Sequence, residues 1–291
     1  MRRGDEPDQN FCFHRPDDGL SYESEPFFRK LETHFGDRIE VQPIMSGLVR
    51  NVYDFVNPND LTVSEDYAIE RYLPRLAAIY NAEQTISSMP IAMEKLDLFS
   101  TERTSSIPLN LAYKAVQRIA PSKAEAFLYR LRFATIAEVR PTTKLDELKR
   151  VAEQVGVNQT DFLTAYHSPE TEAALAEDFR QREQLRLFSL PAYLFEYKDQ
   201  TVLGKGVLDD KALFELVEKI TQGELKPKPP EATTENVWKL FEHHPLINLV
   251  ELRYAFDLTD ENVVLDQIKP LLENGKIRRI DMASGVFFEA V

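Results

Sequence analysis

A single cysteine, Cys12, is all the thiol this chain of 291 residues contains. One thiol excludes an intramolecular disulfide and any Cys-x-x-Cys couple, and with them dithiol–disulfide exchange within the chain. Histidine is almost as scarce, with His14, His34, His167, His243 and His244 the full set. Only the last two are neighbours, and adjacent side chains point about 100° apart on a helix or to opposite faces of a strand. They read as a surface pair at a helix end, so no metal and no cofactor is expected. Long apolar runs are missing as well; none approaches the roughly eighteen residues that a membrane span requires. The N-terminus, MRRGDEPDQN, places acids and a proline where a secretory signal needs an apolar core, so a cytoplasmic location is expected. Basic charge is in short supply: 35 Lys and Arg face 48 Asp and Glu, a net charge of −13. Such a chain repels phosphate and anionic lipid, so neither nucleic acid nor membrane is an expected partner.

Apolar residues make up 43% of the chain, enough for one elaborated domain or several small ones. Gln9–His14 reads as a compact strand that Arg15-Pro16 ends. Phe27, Phe28, Leu31 and Phe35 recur at helical spacing until Gly36-Asp37, and Arg38–Ile44 is a second strand, making one β-α-β unit. From about Ser64 to Arg186 the pattern is helical: Tyr67–Tyr80, Leu109–Ile119, Ser122–Val139 with Ser122 as cap, Leu145–Val155, Asp161–Ala165 and Thr171–Leu187. Strand character resumes over Leu187–Tyr197, entered through Pro191, then over Thr201–Lys205, with a closing helix at Asp210–Ile220. GELKPKPP at 223–230 is a stiff linker expected to hold the C-terminal tail apart from the preceding domain. The tail reads as three helices, Glu235–Glu242, Leu246–Ala255 and Asp260–Asn274, then a hairpin of Lys276–Asp281 and Gly285–Glu289.

These pieces resemble the DsbA-like branch of the thioredoxin superfamily over residues 9–222. The resemblance rests on Arg15-Pro16, Asp18-Gly19-Leu20-Ser21-Tyr22, Glu25-Pro26, Met45-Ser46-Gly47-Leu48, Thr104-Ser105-Ser106-Ile107-Pro108 and Leu190-Pro191. It implies an α/β, thioredoxin-like fold at about 9–52 and 187–222, interrupted by a large helical insertion at about 64–186. A small α+β, winged-helix-like unit at 231–291 comes after the linker at 223–230. The layout is similar to the SpxH (YjbH) family of adaptors, which present a transcription regulator to the ClpXP protease. A protein client and a Clp-type protease are therefore the implied partners; the oligomeric state stays open.

The family's reactive dithiol is replaced here. Asp18 and Ser21 stand at the two cysteine positions, and a carboxylate at a helix start is suited to the positive end of the helix dipole as an N-cap. Cys12 lies between Phe11 and Phe13 and reads as a small core residue. Leu190-Pro191 sits where the family has a cis-proline, beside which extended peptide can pair. Asp18, Ser21, Tyr22, Leu190 and Pro191 form the expected binding surface, a degenerate redox site with no expected chemistry. The rival reading is an enzyme, a thiol oxidoreductase relative or a kappa-type glutathione transferase or isomerase that uses a non-cysteine residue. That family places its serine at the first position of the turn, where Asp18 stands here. The tail carries six basic and eleven acidic residues over 231–291, which fits protein docking better than DNA binding.

Overall fold

The computed structural model describes the backbone of residues 8–14 and the whole of residues 19–291. Strand β1 (Asp8–His14) runs beside a two-part helix, α1 (Gly19–Glu23) and α2 (Glu25–Phe35), and strand β2 (Ile39–Met45) returns parallel to β1. The break between the helices falls at Ser24, whose hydroxyl donates to Leu20 O at 2.8 Å, and Pro26 occupies the first turn of α2. Phe27, Phe28, Leu31 and Phe35 turn inward as their spacing predicts, packing with Tyr193, Phe195, Leu213 and Val217 from the C-terminal half of the domain. Gly36, at φ +57°, ends α2 in a conformation that costs a side-chain-bearing residue more.

The helical block comprises α3 (Pro58–Leu61), α4 (Glu65–Glu83), α5 (Ile107–Ile119), α6 (Ala124–Arg132), α7 (Leu145–Gln154), α8 (Gln159–Tyr166) and α9 (Pro169–Gln184). The Thr104–Pro108 segment enters α5 as its pattern predicts: Ser105 Oγ accepts from Ile107 N at 3.1 Å and donates to Val49 O at 2.9 Å. The single helix expected over Ser122–Val139 is instead a 3-10 turn at Pro121–Lys123, α6, and a wide π turn at Phe133–Ala137. Ser122 makes no cap bond; Lys123 takes the cap position without one. Thr135 Oγ1 bonds both Leu131 O and Thr142 Oγ1, tying the π turn to the chain beyond it.

Strand β3 (Ala192–Tyr197) is shorter than the Leu187–Tyr197 pattern suggested. Leu187 N closes α9 by donating to Arg182 O at 3.1 Å, and Arg186 has φ +52°, so residues 187–190 form a loop. The Leu190-Pro191 peptide is cis. Strand β4 (Gln200–Lys205) hairpins back, and α10 (Asp210–Thr221) starts at Asp209, which accepts from Ala212 N at 2.8 Å. The sheet order is β2-β1-β3-β4, with Cys12 paired to Pro43 on one side and Tyr193 on the other.

The tail contains α11 (Thr234–His243), β5 (Leu246–Asn248), α12 (Leu249–Ala255), α13 (Glu261–Glu273), β6 (Ile277–Met282) and β7 (Gly285–Ala290), with a second sheet ordered β5-β7-β6. Leu246–Asn248, expected as helix, pairs antiparallel with Phe287–Glu289. Asn248 then opens α12 in a capping box with Glu251. The linker does not hold the tail away. Lys228 N donates to His34 O at 2.7 Å and Arg38 Nη1 to Lys226 O at 2.9 Å, so the linker lies along the end of α2. Phe287, fully buried, meets Phe133 of the π turn edge-on at 4.5 Å. Phe287→Ala removes that bridge between tail and insertion and is expected to lower unfolding free energy by about 3–5 kcal/mol, measured by urea titration.

Candidate functional site

Of the expected site residues, Asp18 lies outside the described residues, as does Arg15-Pro16. The rest of the turn is a packed junction. Gly19 is buried against α4: a Cβ there would meet Glu83 Oε2 at 2.0 Å and Tyr80 Cδ1 at 2.7 Å, so only glycine permits the approach. Ser21 and Tyr22 are both 0% exposed, and Tyr22 donates its hydroxyl to Pro90 O at 3.1 Å. Glu23 Oε2 accepts from Ser87 N and Ser87 Oγ at 2.8 and 2.6 Å, and burial raises its pKa. The loop after α4 thus closes over α1, and Tyr22 holds that loop from the core instead of facing a ligand.

Leu190 and Pro191 are buried too, and Pro191 O accepts from Gly206 N at 2.9 Å. The loop they close is held firmly. Arg182 donates Nε to Leu187 O at 3.0 Å and Nη1 to Ser46 O at 2.8 Å. Between buried Leu187 and Leu190 stands Phe188, 90% exposed. The cis-proline loop therefore presents one aromatic side chain on a fixed frame, a residue the sequence pattern had assigned to a strand.

The main polar cluster among the described residues is elsewhere, on the face of α2 that meets α6 and α12. Arg29 is 1% exposed, and its guanidinium reaches Glu25 Oε2 (3.0 Å), Glu32 Oε2 (2.7 Å), Glu125 Oε1 (3.4 Å) and Glu251 Oε1 (3.1 Å). Those carboxylates come from α2, α6 and α12, so one cation joins the thioredoxin-like layer, the insertion and the tail. Arg132 bonds the other oxygen of Glu25, and Tyr129 donates its hydroxyl to Glu251 Oε2. Two guanidiniums thus face four carboxylates, an excess of negative charge that is buried except at Glu125. Burial, with repulsion from Glu25 and against the pull of Arg29, raises the Glu251 carboxyl to about 7. At Glu32 burial opposes ionisation, but Arg29 and His244 outweigh it and lower the carboxyl to about 2.

His244, expected at the surface, is buried; His243 is exposed at the end of α11, its Nδ1 2.9 Å from Lys239 O. Glu32, Glu125 and His244 bring ligand-type atoms within 4.8 Å of one another. Arg29 Nη1 already stands among them, 2.9 Å from His244 Nε2 and 2.7 Å from Glu32 Oε2, so the place suits a guanidinium and not a metal ion. The cluster holds three parts of the chain together, and of its carboxylates Glu125 is the exposed one. Apart from Glu25, quoted for the family pattern, and His244, read as a surface residue, nothing in the sequence marks its residues. Glu25, Arg29 and Glu32 follow each other at spacings of four and three beside the phenylalanine stripe, a pattern that on an exposed face is only an ordinary ion-pair row.

A family model described as Thioredoxin matches residues 11–212. Over 266 residues the chain is 21% identical to the ClpXP adapter protein SpxH of Shouchella clausii, covering 91% of this chain and 82% of that protein. Among solved structures, a presumptive protein disulfide isomerase from Nitrosomonas europaea aligns with a TM-score of 0.61 at 16% identity, over 75% of this chain and 100% of its own. A probable DsbA oxidoreductase from Streptomyces coelicolor aligns at 0.55 and 15% identity, over 77% of this chain and 94% of its own. At such identities the structural likeness establishes the fold, DsbA-like and thioredoxin-like.

Proposed function

This chain belongs to the thioredoxin family, and from that premise we propose that it is a redox-inactive, cytoplasmic protein-binding module. In the most concrete form it is an adaptor that presents a client protein to a Clp-type protease. The observation that carries the reading is the Arg29 cluster, which builds the tail into the thioredoxin-like body at the helix where dithiol relatives place their chemistry. A chain with one cysteine and a locked tail is organised for binding. The similarity to a ClpXP adapter over most of both chains supports the same role. No described helix is long and apolar enough to cross a membrane.

The tail's element order, together with its sheet order β5-β7-β6, is read as a winged-helix-like module. Helix α13 holds Glu261, Asp266 and Glu273 against Lys269 alone, a charge suited to a protein surface and not to DNA. Ser21, fully buried, gives the glutathione transferase reading no accessible hydroxyl.

Phe188 is the client-facing residue of choice, being exposed on a rigid loop. In a reconstituted ClpXP reaction, the chain is expected to accelerate degradation of a client retained from lysate. Phe188→Ser is expected to reduce that acceleration with an unchanged melting temperature, and insulin reduction with glutathione should stay at background. Degradation indifferent to added chain, or glutathione-dependent turnover, would sink the adaptor reading.

A further inference from the structure

Strand β2 is an edge of its sheet, with β1 on its paired side. The pairing determines which of its backbone groups face outward. Gly206 N donates to Pro191 O, so odd-numbered residues of β3 face β4 and even-numbered ones face β1. The partners Phe11–Leu194 and Phe13–Ala192 then leave the even-numbered residues of β1 facing β2. With Asn10 opposite Val41 and Cys12 opposite Pro43 in a parallel ladder, the outward residues of β2 are Ile39, Val41, Pro43 and Met45.

Three of these four are closed. Ile39 N donates to Gly36 O, Pro43 has no N–H, and Met45 N donates to Asp178 Oδ2 at 2.9 Å. A proline and an acid-capped amide are devices that keep an edge strand from pairing along its length. Val41 is the exception: its N–H has no partner among the described residues. It borders a groove of about 490 Å³ between β2 and α11.

The groove is apolar where Ile39 and Val41 and the tail's Leu240 and Phe256 line it, and acidic where Asp37 and Glu40 do. Glu32 and Glu125 add negative charge at the inner end, and the lysine on the rim, Lys239, is paired with Glu235 at 2.9 Å. One wall belongs to the tail, so the groove exists only while the tail is docked.

We propose that this groove receives a short, extended, basic segment of a partner protein, which bridges the backbone at Val41 and sets its lysines or arginines against Asp37 and Glu40. Apolar side chains on the alternate positions enter the base of the groove. Pairing stops after that bridge because Pro43 and the Asp178-capped Met45 offer no further donor. This deepens the proposed binding role and rests on it, since the segment would belong to the client.

The test uses the full chain and a short fluorescein-labelled peptide of alternating lysine and valine, followed by anisotropy. Binding is expected to exceed that of the glutamate–valine counterpart and to weaken with added salt. Val41→Pro, which removes the outward donor, and the double change Asp37→Lys with Glu40→Lys are each expected to weaken it by roughly tenfold. Melting temperatures check that both variants fold; if Val41→Pro does not, the charge-reversal pair decides alone. Equal binding of the two peptides, or lysine–valine binding untouched by the variants that fold, would overturn the proposal. So would a concentration-dependent dimer that Val41→Pro abolishes, because a second copy would then be the occupant. The same variants in the ClpXP reaction separate this inference from the adaptor reading. Client delivery that survives loss of peptide binding overturns the groove as the client's site and leaves the adaptor standing. Peptide binding without any delivery by the unaltered chain overturns the adaptor alone.

Discussion

Arg29→Met is expected to destabilise the protein by about 3–5 kcal/mol and to release the tail from α2. Methionine fills much of the arginine's volume, so the loss reports charge and not a cavity. What remains is Glu25, Glu32, Glu125 and Glu251 around a site that has lost its central cation, with Arg132 left to Glu25 and His244 to Glu32 and Glu125. Breaking a buried ion pair from one side costs more than the pair itself contributes, because the surviving charges keep their desolvation penalty. Urea unfolding measures the loss. Hydrogen exchange locates it, with faster exchange in α12 and β5 than in α8, which supplies no residue of the cluster. Adding Glu251→Gln to Arg29→Met should recover part of the stability by removing one orphaned carboxylate. Equal exchange rates in the tail and in α8 would show that the cluster does not hold the tail.

The second large effect is on pH dependence. The carboxyl of Glu251 is raised to about 7 in the fold from an ordinary 4.5. Between those values the folded chain holds a proton that the unfolded chain has lost, so stability falls as pH rises from about 4.5 to about 7 and is flat above. The loss is on the order of 3 kcal/mol at full size. Glu251→Gln carries no charge to desolvate, though its one amide oxygen can accept from Arg29 or from the Asn248 amide but not from both. Its stability is therefore expected to stay flat between pH 5 and pH 8, where the parent's falls. Glu32 works in the opposite direction: lowered to about 2, it contributes stability that disappears as pH falls below about 4.5. Unfolding curves of parent and variant across this range give the difference directly, and parallel pH profiles would remove Glu251 as the titrating group.

Most of the fold was legible in advance because its elements announce themselves through periodicity. The Phe27–Phe35 stripe, the run of helices from Glu65 to Gln184 and the closing hairpin each carry a repeat that only one kind of element satisfies. Failures came where a local pattern was equally good for two structures. Leu246-Ile247-Asn248 continues a helical spacing, but pairing with Phe287–Glu289 made it strand. Leu187–Leu190 looks like strand, yet closes α9 and turns outward at Arg186. In the first a hydrogen-bond partner distant in sequence, and in the second one five residues back, decided between near-equal local choices.

The candidate site shows the same division. Sequence by itself determined that no dithiol can operate here, since a count of one cysteine needs no coordinates. It also determined the acidic character of the surface and the place of Leu190-Pro191, because both follow from composition or local order. Tertiary structure alone decided that Ser21 and Tyr22 are core, that Phe188 is the exposed aromatic of its loop, and that Arg29 ties three segments into one body. Burial depends on what is packed opposite, and the groups opposite Arg29 lie as many as 222 positions along the chain. An arginine with glutamates one turn away reads as solvated until the other two carboxylates close over it.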